Sequence, residues 1–232
     1  MRKYIKHLII LIIGVLGFSS LSGCDFDNYS YYGAYSYKNS NTYNVGEMIY
    51  ENDDIVKLDI SYISGYLSIV ESSNNKFKMS EKISSENRDY SVRSKISEDT
   101  LYIKFFKSGI STTKYVEKVL TLEVPSRIYE SIVIDTVSAD VNLDLSFKDL
   151  TIDSVSGSLN INLNSKDSNL YLDTVSGNAT INLANEVGYQ LKFKTLSGIY
   201  KSDFSEGYTY LEPNVNVKFE SVSGNCYIKA KD

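Results

Sequence analysis

Histidine is almost missing from this chain of 232 residues, in which His7 is the single one. His7 lies in an N-terminal segment that we expect to be removed. A mature chain without histidine cannot carry out Ser-His or Cys-His catalysis. It also cannot form a zinc or non-haem iron site that needs an imidazole ligand. The absence therefore excludes several large classes of enzyme, and the sequence predicts no cofactor and no metal site.

Proline (2), cysteine (2) and tryptophan (none) are also scarce, whereas there are 20 tyrosines. This composition favours strands and polar turns over helices. The chain has 24 basic and 29 acidic residues and a net charge of −5. Loss of the N-terminal segment with Arg2, Lys3 and Lys6 would leave about −8. Because no basic patch stands out, nucleic acid is not an expected partner.

The first 23 residues read as a lipoprotein signal peptide. A basic start is followed by an apolar run over 8–18, which is too short for a transmembrane helix of about 20 residues. Leu21-Ser22-Gly23-Cys24 then resembles the lipobox of bacterial lipoproteins. That resemblance implies cleavage before Cys24, lipid on its thiol, and an extracytoplasmic protein held on the bacterial membrane by its acyl chains. An ordinary signal peptide with a chance cysteine is the alternative.

Residues 24–49 are rich in tyrosine, asparagine and serine and poor in aliphatic residues. We expect a flexible tether that holds the following domain, 50–232, off the membrane. A second interpretation is that the tyrosines stack on glycan or insert among lipid headgroups. It involves Tyr29, Tyr31, Tyr32, Tyr35 and Tyr37.

The most conspicuous pattern is a repeated Val-Ser-Gly step between short alternating apolar runs. Full copies begin at Val155, Val175 and Val222, and looser copies at Ile63, Val137 and Leu196. Alternation with period two on both sides of each step predicts two half-buried strands. In the copy at Val175 the apolar positions before and after the step have opposite parity. A corner that shifts the register by one residue would keep both sets inward.

A repeat of about 20 residues that cannot bury its apolar side alone must stack on copies of itself. The sequence therefore predicts an all-β, parallel β-solenoid of about six coils with Ser-Gly corners, stacked in chain order. Residues 71–124 break the period and predict an inserted antiparallel β segment, or longer-armed coils, capping the N-terminal end. A β-sandwich of hairpins is the competing fold, but Asn-Gly and Asp-Gly turns are missing between the strands.

Outward side chains of the second strands should form two rows. The expected rows are Asn142, Asn160, Thr180, Lys201 and Tyr227, and Asp144, Asn162, Asn182, Asp203 and Lys229. A solvated face with side-chain ladders is one interpretation, and a flat face that binds glycan or protein is the other. The residues singled out for a ligand face are Asn142, Asp144, Asn160, Asn162, Thr180 and Asn182. Cys226 should point into the core, and the serines of the repeated step should line an internal ladder.

The run Leu120-Thr-Leu-Glu-Val-Pro125, then Ile132-Val-Ile-Asp-Thr-Val-Ser138 and serial Val-Ser-Gly steps, resembles the bacterial "putative adhesin" family over about 50–232. The resemblance implies a β-helical fold, an extracytoplasmic setting and a non-enzymatic role, and it supplies no catalytic residues. Some members lie beside envelope-stress genes, so a stress-signalling accessory is one alternative. A glycan-active β-helix enzyme is another, although Asp144 and Asp203 would be three coils apart, beyond the spacing of glycosidase carboxyl groups.

Overall fold

The computed structural model describes residues 35–51, 54–110, 116–204, 209–212 and 214–231. Within them the chain is almost entirely β-structure, with two short 3₁₀ turns at Ser40–Thr42 and Arg88–Tyr90. No helix in the described ranges is long and apolar enough to cross a membrane. The predicted signal peptide and Cys24 lie outside the described residues. The strands are β1 (Asn44–Val45), β2 (Met48–Tyr50), β3 (Lys57–Ser61), β4 (Ser64–Glu71), β5 (Phe77–Ile83), β6 (Arg93–Ser97), β7 (Thr100–Lys104), β8 (Lys118–Val124), β9 (Ile128–Asp135), β10 (Ser138–Ser154), β11 (Ser158–Leu163), β12 (Ser168–Thr174), β13 (Asn178–Leu183), β14 (Tyr189–Thr195), β15 (Tyr200–Ser202), β16 (Thr209–Tyr210), β17 (Val215–Ser221) and β18 (Cys226–Ala230).

Most of these strands stack in two parallel sheets that enclose one apolar core, which confirms the predicted β-solenoid. Sheet 1 holds the strands that precede each corner, in the order β7, β3, β9, the second part of β10, β12, β17 and β14. Sheet 2 holds the strands that follow each corner, in the order β8, β4, the first part of β10, β11, β13, β18 and β15. In that order we number the strand pairs coils 1 to 7.

The change of register at each corner is as predicted. In coil 5 Leu170, Leu172 and Thr174 point inward before the corner, and Ala179 and Ile181 point inward after it. The shift lets both strands of a coil bury their apolar side chains in the same core. Cys226 is buried in this core, and burial raises the pKa of its thiol to about 12.

Close stacking explains the glycine of the step. The corner positions form one column, Gly65, Ala139, Gly157, Gly177, Gly224 and Gly198, from coil 2 to coil 7. A Cβ on Gly224 would lie 2.0 Å from the carbonyl oxygen of Gly177, and one on Gly198 would lie 1.9 Å from that of Gly224. Left-handed backbone is needed at only some corners, for example at Gly157 with φ 106°. Ala139 is not left-handed, so the alanine brings no strain there.

The order of the coils differs from the order of the chain at both ends of the stack. Strands β3 and β4 form coil 2 and lie inside β7 and β8, which form coil 1. At the other end β17 and β18 form coil 6 and lie inside β14 and β15, which form coil 7. The expectation that the coils stack in chain order, with Tyr227 and Lys229 in the last coil, is therefore wrong.

Burial gives a physical reason for the exchange at the second end. Five inward residues of coil 6 are apolar and at most 2% exposed: Val215, Val217, Phe219, Cys226 and Ile228. At the matched positions of coil 7, Phe193 lies opposite Phe219 but is only partly buried, and the polar Ser202 lies opposite Ile228. The more apolar pair of strands thus takes the position that has a neighbouring coil on both sides.

The segment 71–124 caps the first end, as predicted, and it does so in two ways. Strands β7 and β8 add coil 1, while β5 and β6 pair antiparallel with β8 and β7.

The part of the expected tether within the described residues also packs here, because β1 pairs with β6 and β2 with β5. Tyr35 packs edge-on against Phe106, with ring centroids 4.9 Å apart, and Tyr37 packs against Tyr35. These two tyrosines are therefore not presented to a ligand, and the tether interpretation does not hold for residues 35–49.

A buried ion pair fastens the cap to coil 1. Lys118 Nζ lies 2.7 Å from Glu81 Oε1, and both side chains are almost fully buried. The same ammonium donates to the carbonyl oxygens of Tyr90 and Phe105, and Glu81 Oε2 accepts from the backbone N–H of Val92. Burial lowers the pKa of Lys118 to about 8, although the carboxylate of Glu81 opposes that shift.

Removal of one partner of this pair should destabilise the protein strongly. Lys118→Met leaves the Glu81 carboxylate buried without its cation, and we expect a loss of about 3–5 kcal/mol in the free energy of unfolding, measured with urea. The double variant Lys118→Met/Glu81→Leu should recover part of that loss. The control is Lys78→Met, which breaks a partly exposed pair with Glu123 and should cost about 0–1 kcal/mol. Equal losses of unfolding free energy in both single variants would contradict the assignment of Lys118 and Glu81 as a buried ion pair.

Candidate functional site

The outer face of sheet 2 is the candidate site that the sequence predicts, and the structure brings its residues together. Coil 3 contributes Asn142 and Asp144, coil 4 contributes Asn160 and Asn162, and coil 5 contributes Thr180 and Asn182, in register. Neighbouring coils are about 4.8 Å apart, so these six side chains cover a flat area three coils long.

The rows continue differently from the prediction because coils 6 and 7 are exchanged. Thr180 is followed by Tyr227 and then by Lys201, rather than the reverse. Asn182 is followed by Lys229. Asp203 directly follows β15 and so lies in coil 7, where its backbone N–H donates to the carbonyl oxygen of Ile228 in coil 6.

The asparagines of this face hydrogen-bond one another from coil to coil. The side-chain amide of Asn160 donates to Asn142 Oδ1 at 2.8 Å. The amide of Asn182 donates to Asn162 Oδ1 at 2.7 Å and to Asn160 Oδ1 at 3.0 Å. Each amide is thereby held in one orientation before any ligand arrives. The face is therefore a fixed polar surface. Its amide groups hydrogen-bond between coils and stabilise the stack, in addition to any bond that they make to a ligand.

The serines of the repeated step do not form the predicted internal ladder. Ser176 and Ser223 lie on the outside, and their backbone N–H groups donate to the carbonyl oxygens of Val155 and Val175 in the neighbouring coils. The inward hydroxyl belongs to the residue before the valine. In coil 5 Thr174 Oγ1 accepts from the backbone N–H of Gly177 at 2.8 Å. A side chain three residues before the glycine thus closes the corner, a local role that Ser and Thr commonly take.

Sequence reasoning missed a row of carboxylates on the outer face of sheet 1. Asp135, Asp153, Asp173 and Glu220 follow one another in register through coils 3 to 6. The signal was present, because an acidic residue stands two positions before the valine in four repeats. Burial, followed by the carboxylates of Asp153 and Asp59, raises the pKa of Asp135 to about 6. Across the described ranges, no three carboxylate, thiol or imidazole groups converge so as to hold a metal ion.

The amide ladder should contribute measurably to stability. Asn182→Ala removes two hydrogen bonds, and we expect a loss of about 1–3 kcal/mol in the free energy of unfolding, at about 0.5–1.5 kcal/mol for each bond. Thr180→Ala is the control, because Thr180 occupies the neighbouring row of the same coil and makes no side-chain hydrogen bond within the described residues. Thermal or urea unfolding checks both variants. An equal and small effect would mean that the ladder does not form in solution.

Comparison with known proteins agrees with this architecture. Residues 121–229 match the family described as Toastrack DUF4097. A "putative cell adhesion protein" from Clostridium sporogenes superposes with a TM-score of 0.64 at 16% identity, over 81% of this chain and 100% of the other. A "putative adhesin" from Bacteroides fragilis has 12% identity and a TM-score of 0.32, over 81% of this chain and 97% of the other, which is too low to bear on the fold. No curated protein matched the chain.

The Clostridium sporogenes structure supports the fold alone at this level of identity. The family match begins within β8 and extends through coils 3 to 7, so it includes every residue of the candidate face. Residues 121–229 are therefore similar to the Toastrack DUF4097 family, and the chain shares the β-solenoid fold of the Clostridium sporogenes protein.

Proposed function

We propose that this chain is a non-enzymatic binding module of the bacterial cell envelope, held outside the cytoplasm by lipid on Cys24. The lipobox-like sequence before Cys24 supports the anchor. The similarity of the fold to a protein described as a "putative cell adhesion protein" supports a role at the cell surface. The solenoid contributes a rigid scaffold whose polar outer face can present the same groups repeatedly to an extended partner.

The observation that carries the proposal is the fixed amide surface on sheet 2. Amides that already hold one another in place lose little side-chain freedom on binding, so less entropy opposes association. Their repeat along the stack suits a ligand that also repeats, such as an extended glycan or a polypeptide in β-conformation. We therefore assign the ligand face to Asn142, Asp144, Asn160, Asn162, Thr180 and Asn182.

Catalysis by a carboxylate pair on this face is disfavoured by distance. Asp144 lies in coil 3, whereas Asp203 lies beside coil 7, four coils away. That separation is about 19 Å along the stack. Glycosidases hold their two carboxyl groups roughly 5–10 Å apart. The exchange of coils 6 and 7 thus moves the two acids further apart than chain order would place them.

Anchoring is tested by the variant Cys24→Ser in the native bacterium. We expect the wild-type chain to fractionate with membranes and to incorporate an acyl probe, because the Cys24 thiol carries the lipid. The variant should not be labelled by the probe. A wild-type chain that is never labelled would show that the anchor is wrong.

The ligand face is tested with insoluble peptidoglycan as the probe. Thr180→Arg places a large cation on the coil 5 end of the face without removing a bond of the amide ladder, and binding to peptidoglycan should be lost. Ser131→Arg makes the same change on the outer face of sheet 1 and serves as the control. Equal binding by wild type and both variants would mean that this face does not bind peptidoglycan.

A further inference from the structure

Charge changes sign along the solenoid. The strands of coils 3 to 5 carry mainly acids on their outer faces, namely Glu130, Asp135, Asp140, Asp144, Asp149, Asp153 and Asp173. The strands of coils 6 and 7 carry mainly lysines, namely Lys192, Lys194, Lys201, Lys218 and Lys229, with Glu220 as the acid among them. The strand faces of coils 6 and 7 are thus cationic, and we call them the cationic end, although Glu186, Asp203 and Glu212 in the connecting segments offset part of that charge.

The corner of coil 7 adds exposed aliphatic side chains to this cationic end. Leu196 is 84% exposed and Ile199 is 47% exposed, whereas Val137 at the corresponding corner of coil 3 is 38% exposed. Lys194 precedes the corner with a side chain that is 82% exposed and lies 3.9 Å from Glu220 Oε1, and Lys201 follows the corner. Two aliphatic groups between lysines match the boundary between lipid headgroups and acyl chains, where long cationic side chains extend back to the phosphates.

The same corner edge carries the beginning of the described chain. Tyr35 Oη donates to the carbonyl oxygen of Ser61 and accepts from the backbone N–H of Phe105, at the corner end of coils 1 and 2. Coil 7 lies six coil spacings from coil 1, about 29 Å. The eleven residues from Cys24 to Tyr35 can span at most about 36 Å. A membrane that holds Cys24 is therefore within reach of the coil 7 corner.

We propose that the coil 7 corner binds the surface of an anionic lipid bilayer, with Leu196 and Ile199 entering the interface and Lys192, Lys194 and Lys201 facing the headgroups. The proposal rests on the proposed lipid anchor, because so small a contact is weak until a tether raises its effective concentration. The carboxylates of coils 3 to 6 are repelled by the same surface. The solenoid therefore tilts, with only its cationic end in contact.

A second copy of the chain fits this corner less well. A two-fold pairing of identical ends would bring the lysines of one copy against those of the other, and like charges in close register oppose pairing. A bilayer that contains phosphatidylglycerol offers phosphates to all three lysines at once, and each lysine near such a surface adds to the attraction.

The chain has no tryptophan, so one substitution supplies a local probe. The lipidated full chain with Leu196→Trp is reconstituted in phosphatidylcholine vesicles with and without phosphatidylglycerol. We expect a blue shift of the emission, and quenching by brominated lipid, only with phosphatidylglycerol, and loss of both at high salt. Tyr171→Trp, 46% exposed on sheet 1 in coil 5, should show neither. Lys192→Gln/Lys194→Gln/Lys201→Gln in the Leu196→Trp chain should abolish the shift.

Flotation of the vesicles separates this proposal from the anchor. A chain that floats with both kinds of vesicle while Trp emission from position 196 stays unshifted would overturn the corner contact and leave the anchor standing. A shift with phosphatidylglycerol in a chain that bears no lipid would support the corner contact and show that the contact does not depend on the anchor. A shift caused by a soluble polyanion in the absence of vesicles would also overturn the lipid assignment.

Discussion

One backbone contact recurs at every corner from coil 3 to coil 7, and the remainder of the structure depends on it. The N–H of the serine donates to the carbonyl oxygen of the residue that occupies the valine position in the neighbouring coil, as between Ser156 and Val137 at 2.8 Å. The glycine that follows allows two coils to approach until its Cα touches a carbonyl group. Because this contact sets the register of both strands in a coil, it also decides which side chains enter the core.

The surface rows follow from that register. Since the same position of each repeat recurs at a fixed height, side chains of like chemistry become neighbours although they are far apart in sequence. Asn142 and Asn160 form one hydrogen-bonded pair in this way, Asn162 and Asn182 form another, and four carboxylates on sheet 1 form a further row. The amide surface of sheet 2, the acidic row and the cationic end are all products of stacking rather than of local structure.

The alternation of apolar positions and the length of the repeat were sufficient to predict the solenoid, the shift of register at the corner, the capping role of 71–124 and the buried position of Cys226. They could not predict the order of the coils. Connections such as 203–214 are long enough for the chain to pass over one coil and return, so proximity in sequence does not fix proximity in the stack. Burial decides instead, and the apolar residues of β17 and β18 take the inner place. That exchange moved Lys201 and Tyr227 within their row.

The serine ladder failed for a related reason, since parity alone cannot tell which of two adjacent hydroxyls turns inward at a bend. Thr174 does so and closes the corner, while Ser176 remains outside. The packing of Tyr35 and Tyr37 on the cap was also beyond the sequence, because their partners are about 70 residues away in Phe106 and Ser108. Low complexity in 24–49 therefore did not mean lack of structure throughout.

The free energy of unfolding of Gly224→Ala, compared with that of Ala139→Gly, tests the corner contact most directly. A methyl group on Gly224 would lie 2.0 Å from the carbonyl oxygen of Gly177, so neighbouring coils would have to separate. We predict a loss of at least about 1–3 kcal/mol, as for overpacking elsewhere in protein interiors. Ala139→Gly removes a methyl group that the stack already accommodates, and it should cost about 0.5–1 kcal/mol. A Gly224→Ala protein as stable as wild type would contradict the account.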